Sequence, residues 1–109
     1  MERKFKNLDL EIIELKEINS SIEGKFRGIK DANFEITNKD GEIETPRICV
    51  LEDDLGEQYA CYVSEVLEKK INQNMISLDD YIRITYTGQK TLKSDPKKKF
   101  NHFKLEKAE

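Results

Sequence analysis

Lysine is the residue type best placed to do chemistry in this chain. Lys90, Lys93, Lys97, Lys98 and Lys99 crowd together near the C-terminus, and Phe100, His102 and Lys104 follow at alternating positions. Cations at this density attract phosphate groups, and a ring among them offers a face on which a base can stack. Lys25, Arg27 and Arg83 share the outward parity of their strands and extend the basic track. A lysine-rich hairpin tip has a second reading, as a device that keeps a chain soluble and blunts a sheet edge.

Residues suited to bond-making chemistry are sparse. His102 is the only histidine, and no Asp or Ser motif accompanies it. Asp53-Asp54 and Asp79-Asp80 fall in expected turns, where Asp is favoured for backbone reasons. Cys49 and Cys61, twelve positions apart in apolar stretches, read as small core residues. They give neither zinc-site spacing nor a disulfide scaffold. Gly24 and Gly28 are isolated and form no phosphate-binding loop. The chain therefore reads as non-catalytic, without a metal or other cofactor.

Hydrophobic periodicity supplies the elements that must carry these residues. A short strand is expected over Asp9–Leu15. Ile22–Lys30 alternates, with Ile22, Gly24, Phe26 and Gly28 on one side and Lys25, Arg27 and Ile29 on the other. Ala32–Thr37 continues as a strand to the turn at Asn38–Gly41. Strands Arg47–Glu52 and Gln58–Val63 flank a hairpin turn at Asp53–Gly56. Ser64 is a helix N-cap, and the spacing of Val66, Leu67 and Ile71 predicts a helix over 65–73. Tyr81–Thr87 and Lys98–Glu106 close the chain as strands joined by a long connection, Gly88–Lys97.

Five strands with one short helix between the third and fourth are the arrangement of an OB-fold barrel, with room for an extra N-terminal strand. The expected organisation is an extension at 1–21, one domain at 22–106 and a tail at 107–109. Among nine aromatic residues, parity turns Phe26, Tyr86 and Phe103 inward and leaves Tyr62 and Phe100 as stacking candidates. A register error of one residue would exchange those sets.

Composition bounds the partners. The chain has 109 residues, 37% hydrophobic and 38% charged, with net charge −3. Residues 1–80 carry 11 basic and 19 acidic side chains, whereas 81–109 carry 8 and 3. Between Asp40 and Glu57 seven acids face one base, Arg47. Apolar runs are as short as Ile48–Leu51, so neither a membrane helix nor a secretory segment is expected, and a cytoplasmic location follows.

The stretch Tyr81-Ile82-Arg83-Ile84-Thr85-Tyr86-Thr87-Gly88-Gln89-Lys90, a basic gap, and then Phe100-Asn101-His102-Phe103-Lys104-Leu105-Glu106 resembles small bacteriophage and prophage single-stranded-DNA-binding-like proteins. Ile22–Ile29 looks like their opening strand. The chain departs from them in having Asp79-Asp80 for a Gly-Asp turn, and Ser94-Asp95-Pro96 in place of a glycine turn. Its middle is also more acidic. The resemblance implies an OB-fold that coats single-stranded DNA in phage replication or recombination, inside a bacterial host cell.

Two functions are thus expected from the sequence. One is binding of single-stranded DNA, or RNA, with little sequence preference, homo-oligomerisation being left open. The other is a phage-encoded domain that inhibits or recruits a host protein for defence or replication through the acidic segment 40–57.

Overall fold

The structure, a computed structural model, describes residues 10–91 and 93–109. Alternation writes its first long strand. In β2 (Ser21–Asp31), Ile22, Gly24 and Phe26 are buried while Glu23, Lys25 and Arg27 face solvent. Gly24 permits a close approach: a Cβ there would stand 2.7 Å from the Tyr59 hydroxyl and 2.9 Å from the Glu52 carbonyl oxygen. Only glycine lets neighbouring backbones pack at that distance.

The alternation breaks after Phe26. Phe26 pairs with Leu51 and Gly28 with Val50, which leaves Arg27 as an extra, bulged residue. Gly28 adopts φ +112°, a conformation that side chains rarely accept. The bulge reverses the two faces, so Ile29 pairs with Cys49 and packs on the core. Strict alternation had put Ile29 with Lys25 and Arg27, and the inserted residue is why that fails.

β5 (Arg47–Glu52) and β6 (Gln58–Tyr62) form the expected hairpin. The Asp53 carboxylate holds its turn by accepting the N–H groups of Leu55 at 2.9 Å and Glu57 at 3.0 Å. Ile48–Leu51 are all buried, so β5 is covered on both faces. Helix α1 (Glu65–Gln73) has the predicted bounds and cap, the Ser64 hydroxyl accepting the Leu67 N–H at 3.2 Å. Glu65 and Glu68 in the first turn and Lys70 in the last oppose the helix dipole favourably.

β7 (Tyr81–Thr91) and β8 (Lys99–Lys107) form the longest ladder. Gly88 lies inside β7, not in a loop. Tyr86 pairs with Phe103 and Gly88 with His102, so Thr87 is a second bulge, with Gly88 at φ +99°. The strand runs past Thr87 to Thr91, and β8 opens at Lys99.

These strands form one six-stranded sheet in the order β1-β6-β5-β2-β7-β8, in which β1 (Glu11–Ile12) runs parallel to β6. The expected strand at Asp9–Leu15 is reduced to these two residues, and Asp9 lies outside the described residues. The expected strand Ala32–Thr37 also shortens. Ile36–Thr37 (β3) pairs with Ile43–Glu44 (β4) in a separate ribbon. The protein is mainly β with one short helix. Its sheet is not closed into a barrel, and among the described residues no ladder joins β6 to β8. Instead, Ile13 donates to Ala60 of β6 at 2.7 Å and Asn19 to Tyr86 of β7 at 2.7 Å. Ile13 and Leu15, between those anchors, pack on the core.

Two apolar clusters occupy the two faces. The larger joins Ile22, Phe26, Leu51, Ile82 and Ile84 to Leu67 and Ile71 of α1. The smaller holds Ala32, Ile48, Val50 and Ala60, with Phe34 and Tyr62 at its margin. No helix among the described residues is long and apolar enough to cross a membrane.

Candidate nucleic-acid interface

Register decides which of the candidate cations are matched by acids. Glu23, Arg83 and Glu106 stand opposite one another on β2, β7 and β8. Arg83 accordingly lies 3.9 Å from Glu23 and 3.8 Å from Glu106, and Lys104 lies 3.8 Å from Glu106. Tyr81 donates to Glu23 at 2.9 Å. Arg27, pushed out by its bulge, reaches Asp79 at 2.5 Å. These are exposed pairs that add little stability, but they offset the charge that Arg27, Arg83 and Lys104 would offer a ligand. Lys25 is exposed opposite Glu52 and Tyr81.

The hairpin between β7 and β8 is different. Lys90, Lys93, Lys97, Lys98 and Lys99 are all exposed, and none forms an ion pair with a described carboxylate. The acid nearest in sequence, Asp95, is occupied by the turn: its carboxylate accepts the Lys97 N–H at 3.1 Å and its carbonyl the Lys98 N–H at 3.0 Å. Asp95 keeps its own negative charge, so five lysines against one acid leave the hairpin strongly basic.

Phe100 and His102 follow on β8, their rings 6.4 Å apart at 66°. Thr87 fixes His102. Its hydroxyl lies 3.0 Å from the His102 carbonyl oxygen, to which it can donate, and 2.5 Å from Nδ1. Nδ1 is thereby engaged, and Nε2 is the ring nitrogen left open. Partial burial, then the charges of Lys90 and Lys70, push the His102 pKa below its ordinary value of 6.5.

Beside these rings runs a cleft of about 360 Å³ between α1 and β8. Val66, Lys69 and Gln73 form one wall, Phe100 and His102 the other, with Leu67 and Phe103 beneath. Lys70 ties the walls together by donating to the Phe103 carbonyl at 2.8 Å. The expected track did not include α1. Its Lys69-Lys70 pair was visible in the sequence, but only the tertiary fold sets it against β8.

Tyr62 is not part of this group. It meets Phe34 edge-on, with ring centroids 6.5 Å apart, beside the smaller cluster. In the acidic segment, Arg47 is held by Glu68 at 2.6 Å and Asp31 at 3.1 Å. Ile43, between Glu42 and Glu44, and Leu55, after Asp53 and Asp54, are 70% and 88% exposed.

Comparison of the chain with protein-family models, curated proteins and solved structures gave no match.

Proposed function

We propose that this chain is a non-catalytic binding domain for single-stranded nucleic acid, DNA foremost, with little sequence preference and a role in phage replication or recombination. The observation that carries the reading is the hairpin bearing five lysines that form no ion pair with a described carboxylate, running directly into Phe100 and His102. Cations spaced along a hairpin follow phosphates of any sequence, and a ring accepts any base. RNA fits the same chemistry.

An OB-like architecture accords with this reading. β2 pairs with both β5 and β7, β7 pairs with β8, and the single helix lies between β6 and β7. Those are the antiparallel connections expected of that fold, with the N-terminal segment lying along β6 where a closing strand would lie. The resemblance of residues 81–106 to phage single-stranded-DNA-binding-like proteins points the same way.

The test is fluorescence anisotropy of a labelled poly(dT) of about 30 nucleotides, long enough to span more than one site of ~4–16 nucleotides. Saturable binding that duplex DNA does not match supports the proposal. No binding at low salt overturns it.

A second reading rests on Leu55, an apolar side chain 88% exposed in the turn that follows Asp53 and Asp54. Such a surface suits a basic protein partner of the phage or its host. It predicts a stoichiometric protein complex lost on Leu55→Asp, with oligonucleotide binding absent.

A further inference from the structure

We propose that the cleft between α1 and β8 is a nucleotide subsite, in which one base lies against Phe100 and Val66 and its phosphate meets Lys69 and the Nε2 edge of His102. The inference rests on the nucleic-acid reading and assigns it a place where the strand leaves the lysine hairpin.

Three observations converge. The first is shape: about 360 Å³ falls within the range of roughly 300–1,000 Å³ seen for small-molecule sites. The second is apolar surface. Val66 remains 46% exposed on the helix wall, facing a β8 wall made of rings. An unspent valine beside a phenylalanine is the surface that a base covers to leave water. The third is charge. The chain has 22 acidic and 19 basic side chains, yet among the described residues this cleft is lined by Lys69, Lys70 and His102 and by no carboxylate.

Commitments already made inside the cleft divide the work. Lys70 is engaged by the Phe103 carbonyl, whereas Lys69 forms no ion pair with a described carboxylate. The Nδ1 of His102 is engaged by Thr87, so Nε2 is the ring nitrogen left for a ligand. A phosphate there favours the imidazolium, whose Nε2–H donates a charge-assisted hydrogen bond. The route is continuous, because Lys97, Lys98 and Lys99 lead by sequence into Phe100.

His102, as the sole histidine, gives ring proton signals that need no assignment, so proton NMR reads the site directly. The full chain is titrated with 5′-dAMP, with deoxyadenosine and with inorganic phosphate. The expected result is a saturable shift of the His102 and Phe100 ring signals with dAMP, at least several-fold larger than with either fragment at equal concentration. Val66→Trp, an exposed helix substitution that fills the cleft, abolishes the shift, and Lys69→Glu weakens it without adding bulk. An unmoved His102 while poly(dT) still binds overturns the subsite and leaves the strand-binding reading intact. A dAMP shift without any poly(dT) binding supports the subsite and removes the strand-binding reading. An equal shift from phosphate alone, or a shift from an acidic peptide but not dAMP, overturns the proposal.

Discussion

Thr87 and His102 meet at the bulge of the β7–β8 ladder, with Oγ1 2.5 Å from Nδ1 and 3.0 Å from the His102 carbonyl oxygen. One hydroxyl thereby engages both the backbone and the Nδ1 of the only histidine and leaves its Nε2 open. Because Thr87 is the extra residue in the ladder, a local backbone irregularity carries a consequence for the candidate site.

Thr87→Val keeps the branched shape and deletes the hydroxyl. Loss of these bonds lowers stability by about 1–2 kcal/mol, each being worth ~1 kcal/mol net. Urea unfolding measures the loss. The His102 ring signals sharpen as the ring gains freedom. Unchanged stability and an unchanged ring would show that the contact is idle.

Acid weakens the fold in two separate windows. His102 has a folded pKa below its ordinary 6.5, so the unfolded chain binds the proton more readily. Its contribution is complete above pH 6.5 and declines as pH falls below that value. Asp80 has a folded pKa below its ordinary 3.8, because the Ser77 N–H donates to it and Lys107 lies 3.3 Å away. Its contribution holds above pH 3.8 and is lost as pH falls through the depressed value. Urea midpoints against pH should lose the upper step in His102→Gln and the lower step in Asp80→Asn.

Gly24→Ala tests the close approach of β2 to its neighbour. The added methyl meets the Glu52 carbonyl oxygen at 2.9 Å, a backbone atom that cannot swing aside as a side chain can. The expected cost is about 1–3 kcal/mol, read as a lower urea midpoint with an unchanged m-value. A neutral substitution would mean the strands stand farther apart.

Much of the fold was legible where local chemistry is decisive. Ser64, the acids after it and the spacing of Leu67 and Ile71 placed α1 at its observed bounds. Apolar Ile48–Leu51 after Pro46 placed β5. Gly28 and Gly88 misled. A glycine inside a strand pattern signals curvature, a loop or a bulge alike, and both proved to follow a bulged residue, Arg27 or Thr87, inside a continuing strand. The site divides in the same way. The lysine hairpin was visible as composition, whereas the pairing of Glu23, Arg83 and Glu106 depends on register across three strands. The cleft joins residues about thirty positions apart, beyond the reach of any local pattern.

Phe100→Ala separates stacking from charge. Removing one stacking ring costs about 1–3 kcal/mol per base, so oligonucleotide affinity should fall roughly 5- to 150-fold. The salt dependence should stay the same, because no phosphate contact is lost. Equal affinity in this variant would place the strand away from β8.

The salt dependence itself is the most direct measurement of the central claim. For a single strand, log affinity falls with log salt at a slope of about −0.7 per neutralised phosphate. Poly(dT) anisotropy across a salt series should give a steep slope for the natural chain. With Lys97, Lys98 and Lys99 all replaced by Glu, the slope should become shallower by about 2, the sum of three such contacts. A slope unchanged by that triple substitution would contradict the account.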